Sequence, residues 1–140
     1  MDAKRFLTGT VVGAIVLFAT GYVIFNWLFA EFYRANGVAG VDRETQIIWA
    51  NVVANVAYGA LLTYVLSNRS GAISVGSAAL VGAITGFLLW ATADLAIYGF
   101  MNVSNLTRTL VDPVLEFVHG GLGGAAIGVV LGNMSRTPRP

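Results

Sequence analysis

Cysteine is absent from this chain of 140 residues. That excludes structural disulfides, thiol nucleophiles, Cys-ligated zinc or iron–sulfur centres and thiol redox chemistry. Charge is scarce: 11% of residues are charged, against about 25% in a typical soluble domain. Histidine occurs once, which leaves no second imidazole for bis-histidine haem within one chain. The net charge is +1 with no basic stripe interleaved with aromatics, so nucleic acid is not an expected partner.

What the chain has instead is apolar surface. Hydrophobic residues make up 56% of it, and the mean hydropathy is +0.74. A water-soluble fold of this composition would expose long apolar faces, which monomers avoid. The lipid bilayer is therefore the expected surroundings, and 140 residues suffice for a single membrane domain.

Four apolar runs, at 6–30, 47–66, 75–101 and 113–131, are each near the roughly 20 residues that cross the hydrocarbon core as a helix. The first is too long for the apolar region of a cleaved signal peptide, and Leu28-Phe29-Ala30 is a poor cleavage site, so it reads as a retained anchor. Asn36-Gly37 to Asp42 is turn-rich, with Asp42 a candidate cap for the second helix. Ser67 to Gly71 reads as a short turn, and Met134 to Pro140 as a frayed tail. Asp112-Pro113 reads as the N-cap and first residue of the fourth helix. The expected fold class is all-α, a four-transmembrane-helix bundle. Lys4, Arg5, Arg69, Arg136 and Arg139 fall on one side and Arg34, Arg43 and Arg108 on the other, which predicts both termini inside, N-in/C-in.

Two four-residue stretches recur faintly. Val12-Gly13-Ala14-Ile15 returns as Val81-Gly82-Ala83-Ile84, and Val65-Leu66-Ser67-Asn68 as Val130-Leu131-Gly132-Asn133. Two duplicated parallel hairpins would produce this, but in apolar, Gly/Ala-rich sequence such matches are cheap, and chance is the simpler reading.

In lipid the hydrophobic effect does not press helix onto helix, so small residues mark the packing surfaces. Gly120, Gly124, Gly128 and Gly132 repeat every four residues, a glycine-zipper pattern, with shorter versions at Gly82 and Gly86 and at Gly9 and Gly13. These suit either a self-association seam or packing within one bundle, and the second is the simpler reading. Gly121 and Gly123 make a kink below His119 conceivable.

Polar residues inside the spans cluster toward the expected outer face: Asn26, Asn51, Asn55, Asp94, Glu116 and His119. The inner half holds hydroxyls such as Thr8, Thr10, Thr63, Ser77 and Thr85. Ionisable residues within a span face the bundle interior, a partner or a water-filled cavity. Trp90 and Tyr98 flank Asp94 at i±4 and could each donate to it. Glu116 and His119 share a helix face at the Glu-x-x-His spacing that di-iron bundles use in pairs. Only one such motif is present; a mononuclear metal site with Asp94 is the weak alternative to a hydrogen-bonded pair bridging helices. Asn51 and Asn55 could bind a solute or act as interhelical glue. No cofactor is implied. Asn68-Arg69-Ser70, Asn102-Val103-Ser104 and Asn105-Leu106-Thr107 match the glycosylation pattern but mean little without a secretory pathway.

The opening Met-Asp-Ala-Lys-Arg-Phe-Leu-Thr-Gly-Thr-Val-Val-Gly, and the stretch from Ala93-Asp94-Leu95 through Asn105-Leu106-Thr107-Arg108-Thr109 to Asp112-Pro113-Val114-Leu115-Glu116, resemble small bacterial four-span integral membrane proteins of unknown function. The resemblance covers most of the chain in layout. It implies four spans and the bacterial inner (plasma) membrane, and carries no activity or ligand. Small multidrug exporters place their key carboxylate in the first span, where this chain has none, and quinone-linked thiol reductases need cysteines.

Three functions compete at this point. The first is a non-catalytic membrane component, a homo-oligomer or an accessory subunit of a larger membrane complex. The second is a small-solute or proton-coupled carrier using Asp94, Glu116, His119, Asn51, Asn55, Tyr98 and Asn26. The third is an enzyme or metal site at Glu116 and His119. The sequence favours them in that order.

Overall fold

Three helices begin where a side chain offers an acceptor to the unpaired amides of a first turn. Asp2 accepts from the Lys4 amide at 3.0 Å and opens α1, Ala3–Gly21. A π-helical segment, Tyr22–Leu28, follows and ends with the Phe29 amide on the Ile24 carbonyl. Then come α2, Ala30–Asn36, and α3, Ile48–Ser67, neither with a side-chain cap. Ser74 caps α4, Val75–Phe100, through the Ser77 amide at 3.1 Å. Asn105 accepts from the Arg108 amide at 2.9 Å, and α5 runs Leu106–Arg136. The structure, a computed structural model, describes residues 2–69 and 74–136.

Among the described residues, four helices are long and apolar enough to cross a membrane: Ala3–Leu28, Ile48–Ser67, Val75–Phe100 and Leu106–Met134. The architecture is all-α, as expected, and fits a membrane protein. Large apolar side chains such as Leu7, Ile15, Trp49, Leu88 and Phe100 point away from the bundle, while Gly9, Gly13, Ala78, Ala83, Gly120 and Gly124 are buried. Small residues inside and large ones outside suit a chain surrounded by lipid, where close backbone approach does the packing.

The structure corrects three local expectations. Asp112 does not cap the fourth helix: Asn105 does, about two turns earlier, and Pro113 sits buried inside α5. Proline there removes one amide donor from the helix ladder, a cost of roughly 3 kcal/mol in an ordinary helix interior. Asp42 lies in the connection between α2 and α3, short of Ile47, which precedes α3. No break falls at Gly120–Gly124; α5 is helical throughout, and the irregular backbone lies in the first span instead. Of the expected turn at 67–71, residues 70 and 71 lie outside the described residues, as do Ser70 of the Asn68 motif and the tail from 137 onward.

The helices pair as two antiparallel hairpins. In α1–α3, a methyl group added at Gly59 would lie 2.7 Å from the Thr10 carbonyl oxygen and 2.8 Å from the Ala14 nitrogen, and one at Gly13 would lie 3.2 Å from Gly59 Cα. In α4–α5, a methyl at Gly124 would lie 3.0 Å from Gly82 Cα and against the Ala78 carbonyl oxygen. Both crossings are backbone on backbone, so any side chain there must push the helices apart.

The contacts repeat with the offsets of the two recurring sequence stretches. Gly13 on Gly59 corresponds to Gly82 on Gly124, and Gly9 on Thr63 to Ala78 on Gly128. Across the hairpins, Leu17 on Gly123 corresponds to Gly86 on Tyr58. A contact whose mirror image joins the exchanged partners is the signature of an approximate twofold axis. The symmetry is imperfect for a legible reason. Gly123 lets α5 close on α1, whereas the equivalent Tyr58 keeps α3 and α4 apart except around its own hydroxyl. Leu62 and Leu66 meet their counterparts Ile127 and Leu131 on this axis, fully buried together with Leu17.

Candidate functional site

α5 carries the site because its Glu-x-x-His spacing puts both side chains on the face that meets α1 and α3. Glu116 and His119 are 3% and 5% exposed, and His119 Nδ1 lies 2.9 Å from Glu116 Oε2. His119 Nε2 lies 2.8 Å from the backbone carbonyl oxygen of Leu17 on α1. A carbonyl oxygen only accepts, so Nε2 carries a hydrogen and donates it. The other contact then needs one proton between Nδ1 and Oε2. Either a protonated Glu116 donates to a neutral ring, or an imidazolium donates to a carboxylate. In both forms the pair is neutral overall, which is how two ionisable groups can lie buried side by side.

The seat for the ring is built by small and aromatic neighbours. A methyl at Gly21 would lie 3.2 Å from His119 Nε2, so glycine at 21 is what admits the ring to the Leu17 carbonyl. Phe25 and Tyr58 meet the imidazole edge to face, at 5.4 and 5.9 Å between centroids. The Tyr58 hydroxyl reaches between Gly86 and Gly120, buried and without a hydrogen-bond partner among the described residues.

A second group adjoins the first. Asp94 on α4 lies near Asp112 on α5, and Asp94 Oδ2 is buried with no hydrogen-bond partner among the described residues. Asp112 accepts from the Tyr33 hydroxyl on α2, and the Arg108 guanidinium lies 5.0 Å over the Tyr33 ring. Burial first, and then the Asp112 carboxylate that takes its hydrogen, hold the Tyr33 phenol protonated far above the ordinary tyrosine range. Arg108, Tyr33, Asp112 and Asp94 thus form a chain of polar contacts leading from the surface to the neighbourhood of Glu116.

No known protein family, curated relative or solved structure matches the chain. The site is therefore read from its geometry.

Six of the seven sequence candidates divide into two groups. Asp94, Glu116 and His119 lie together at the level of the π segment and Pro113. Asn26, Asn51 and Asn55 share that depth but face elsewhere. Asn26 accepts from Gln46 at 2.8 Å, Asn51 donates to Gln46 at 3.5 Å, and Asn55 donates to the Asn51 carbonyl. Asn55 borders an apolar groove of about 410 Å³ on the outward face of α1 and α3, lined by Val11, Phe18, Val52 and Val56. Tyr98 is 43% exposed and has no described bond to Asp94, and Trp90 Nε1 is buried without a partner among the described residues.

The mononuclear metal arrangement does not form. Among the described residues no three His, Asp or Glu side chains converge as a ligand set. Both His119 nitrogens are already engaged, so a metal would have to displace either Glu116 or the Leu17 carbonyl.

Sequence reading missed Leu17, Gly21, Tyr33, Tyr58 and Arg108, and took Asp112 for a cap. For Gly21 a signal exists: Gly9, Gly13 and Gly21 share one i+4 ridge, interrupted by Leu17. For the Leu17 carbonyl there is none, because a backbone group has no letter of its own.

Proposed function

We propose that this chain is a proton-coupled carrier of small solutes in a bacterial inner membrane, lying N-in/C-in so that the polar half faces outward. The observation that carries this reading is the buried Glu116–His119 pair, whose geometry holds one proton between Nδ1 and Oε2 while Nε2 is fixed on the Leu17 carbonyl. Three features support it. Asp94 and Asp112 place two further carboxylates beside the pair, on α4 and α5. The first span is π-helical at this level and the fourth holds a buried proline, and irregular backbone within a membrane gathers where a cavity or binding site must form. Five basic residues against three favour the assigned orientation, and the layout shared with small bacterial four-span proteins favours the membrane.

The second reading, a non-catalytic component working as a homo-oligomer or in a larger complex, has one observation in its favour: both His119 nitrogens are satisfied internally, as in structural glue. Against it, the glycines of α5 at 120, 124 and 128 are occupied by α4 of the same chain.

The test is proton movement in proteoliposomes, followed by a luminal pH dye, under an imposed solute gradient of alkylamines, monocarboxylates or alkali cations in turn. The carrier reading expects at least one class to drive proton flux that Glu116→Gln abolishes. Flux equal to that of empty liposomes with every class would overturn it in favour of the second reading.

A further inference from the structure

The seams within the hairpins and the seam between them are built differently. Inside α1–α3 and α4–α5, glycines bring backbone against backbone, as at Gly59 on Thr10 and Ala14 and at Gly82 on Gly120 and Gly124. Between the hairpins, the glycines meet the ends of flexible side chains. A methyl at Gly13 would lie 2.8 Å from Ile127 Cδ1, and one at Gly123 would lie 2.7 Å from Leu17 Cδ2. Backbone contacts lock; side-chain ends against glycine can slide or part.

Polar links between the hairpins are unevenly spread. At the polar end Tyr33 donates to Asp112, Arg108 covers Tyr33, Asn105 donates to Asn36 at 2.9 Å, and Gly37 bridges to Ser104. At the opposite end Arg5 donates to the Leu131 carbonyl at 3.4 Å. Between the ends, the bond from His119 Nε2 to the Leu17 carbonyl is the one that joins the hairpins among the described residues. It lies directly above the fully buried layer of Leu17, Leu62, Leu66, Ile127 and Leu131 on the approximate twofold axis.

We propose that the two hairpins move as rigid units about the clasp at the polar end, that this apolar layer is the inner gate, and that the His119–Leu17 bond is the latch holding it shut. The proposal rests on the carrier reading and supplies its second step: the side chain that holds the exchangeable proton also ties the halves together. The groups facing His119 from each packed element are Glu116 and Asp112 on α5, Tyr58 on α3, the Leu17 carbonyl, Gly21 and Phe25 on the first span, and Asp94 on α4 near Glu116. Any change that turns the ring away from Leu17 frees the seam below it.

Because the chain has no cysteine, single reporters can be placed without removing others. Leu66→Cys and Ile127→Cys report the gate, Ala83→Cys reports the inside of the α4–α5 hairpin, and Ile15→Cys reports the lipid face. Each is combined in the full-length protein with His119→Ala, with Gly21→Ala, whose methyl presses on the ring, or with His119→Gln, whose amide can still donate to Leu17. A membrane-impermeant maleimide is then applied from either side of vesicles. His119→Ala and Gly21→Ala are expected to speed labelling at 66 and 127 about tenfold or more, the change that a shift of 1.4 kcal/mol in the opening equilibrium gives. This occurs from the side of the termini only, with 83 and 15 unchanged and His119→Gln like the parent. Unchanged labelling at 66 and 127 in both variants would overturn the latch. So would equal labelling at 83, because the hairpins would then come apart rather than move as units. The readout needs no transport: Glu116-dependent proton flux without gate opening defeats the latch alone, and gate opening without flux defeats the carrier reading alone.

Discussion

The most quantitative consequence concerns the Glu116–His119 pair. Alanine at either position leaves its partner buried without its counterpart, a situation that costs about 3–5 kcal/mol when an ion pair is broken from one side. Alanine at both positions removes the stranded group as well. The two single losses therefore cannot add. A hydrogen bond involving charged groups contributes about 1.5–3 kcal/mol, so a double-mutant cycle over Glu116→Ala and His119→Ala should return a coupling of about 2 kcal/mol. Glu116→Gln belongs to a different class. Its amide can donate to Nδ1 while Nε2 still donates to the Leu17 carbonyl, so the ring stays seated and the loss is expected to be about 1 kcal/mol or less. The assay is reversible unfolding in mixed micelles on titration with a denaturing detergent, followed through the three tryptophans of the chain. A coupling below about 0.5 kcal/mol, the range of independent sites, would refute the shared-proton geometry, as would a Gln variant no more stable than the Ala variant.

Other consequences are simpler to test. Gly82→Ala and Gly124→Ala place a methyl against backbone atoms of the facing helix and should each cost about 1–3 kcal/mol in the same unfolding assay. Gly76→Ala and Gly99→Ala meet nothing within 4 Å and should be neutral or stabilising by up to about 1 kcal/mol. Asn105→Ala should cost about 1 kcal/mol and speed amide exchange in the first turn of α5, while Asp112→Asn leaves exchange in that turn unchanged. The raised Tyr33 pKa means the folded state favours the protonated phenol. Its contribution to stability is thus complete below the unfolded tyrosine value of about 10 and is lost as the pH climbs above it. Tyr33→Phe should remove that alkaline loss, and a variant whose stability still falls identically above about pH 10 would contradict the placement of Tyr33 against Asp112.

How much of this was legible in the sequence follows from what each signal measures. Hydropathy placed the second and third spans within a residue of α3 and α4, because the bilayer fixes the length of an apolar helix. Rise per residue placed the polar residues at one depth. It carried no information on azimuth, which is why Asn26 and Asn51 were grouped with Glu116 although they bond to Gln46 on another face. Asp-Pro is a common helix start, and that local preference outweighed the better cap at Asn105, whose first turn lies outside the strongest apolar run. On letters alone the recurrence of Val-Gly-Ala-Ile reads as chance. Only the contacts show Gly13 and Gly82 making the same crossing with Gly59 and Gly124. Gly-x-x-x-Gly spacing says that something packs closely and is silent on what, so the choice between α4 and a second chain needed coordinates.

The central claim is that a proton sits exchangeably on the Glu116–His119 pair within the bundle, and the chain's single histidine allows it to be watched directly. Nitrogen-15 magnetic resonance of histidine-labelled protein in vesicles reports one imidazole, with no assignment to dispute. The account predicts that Nε2 always carries hydrogen and that the Nδ1 signal moves as the pH on the outer side is taken from about 5 to 9, while Glu116→Gln removes the response. Ring signals that stay fixed across that range would make the pair structural glue and contradict the account.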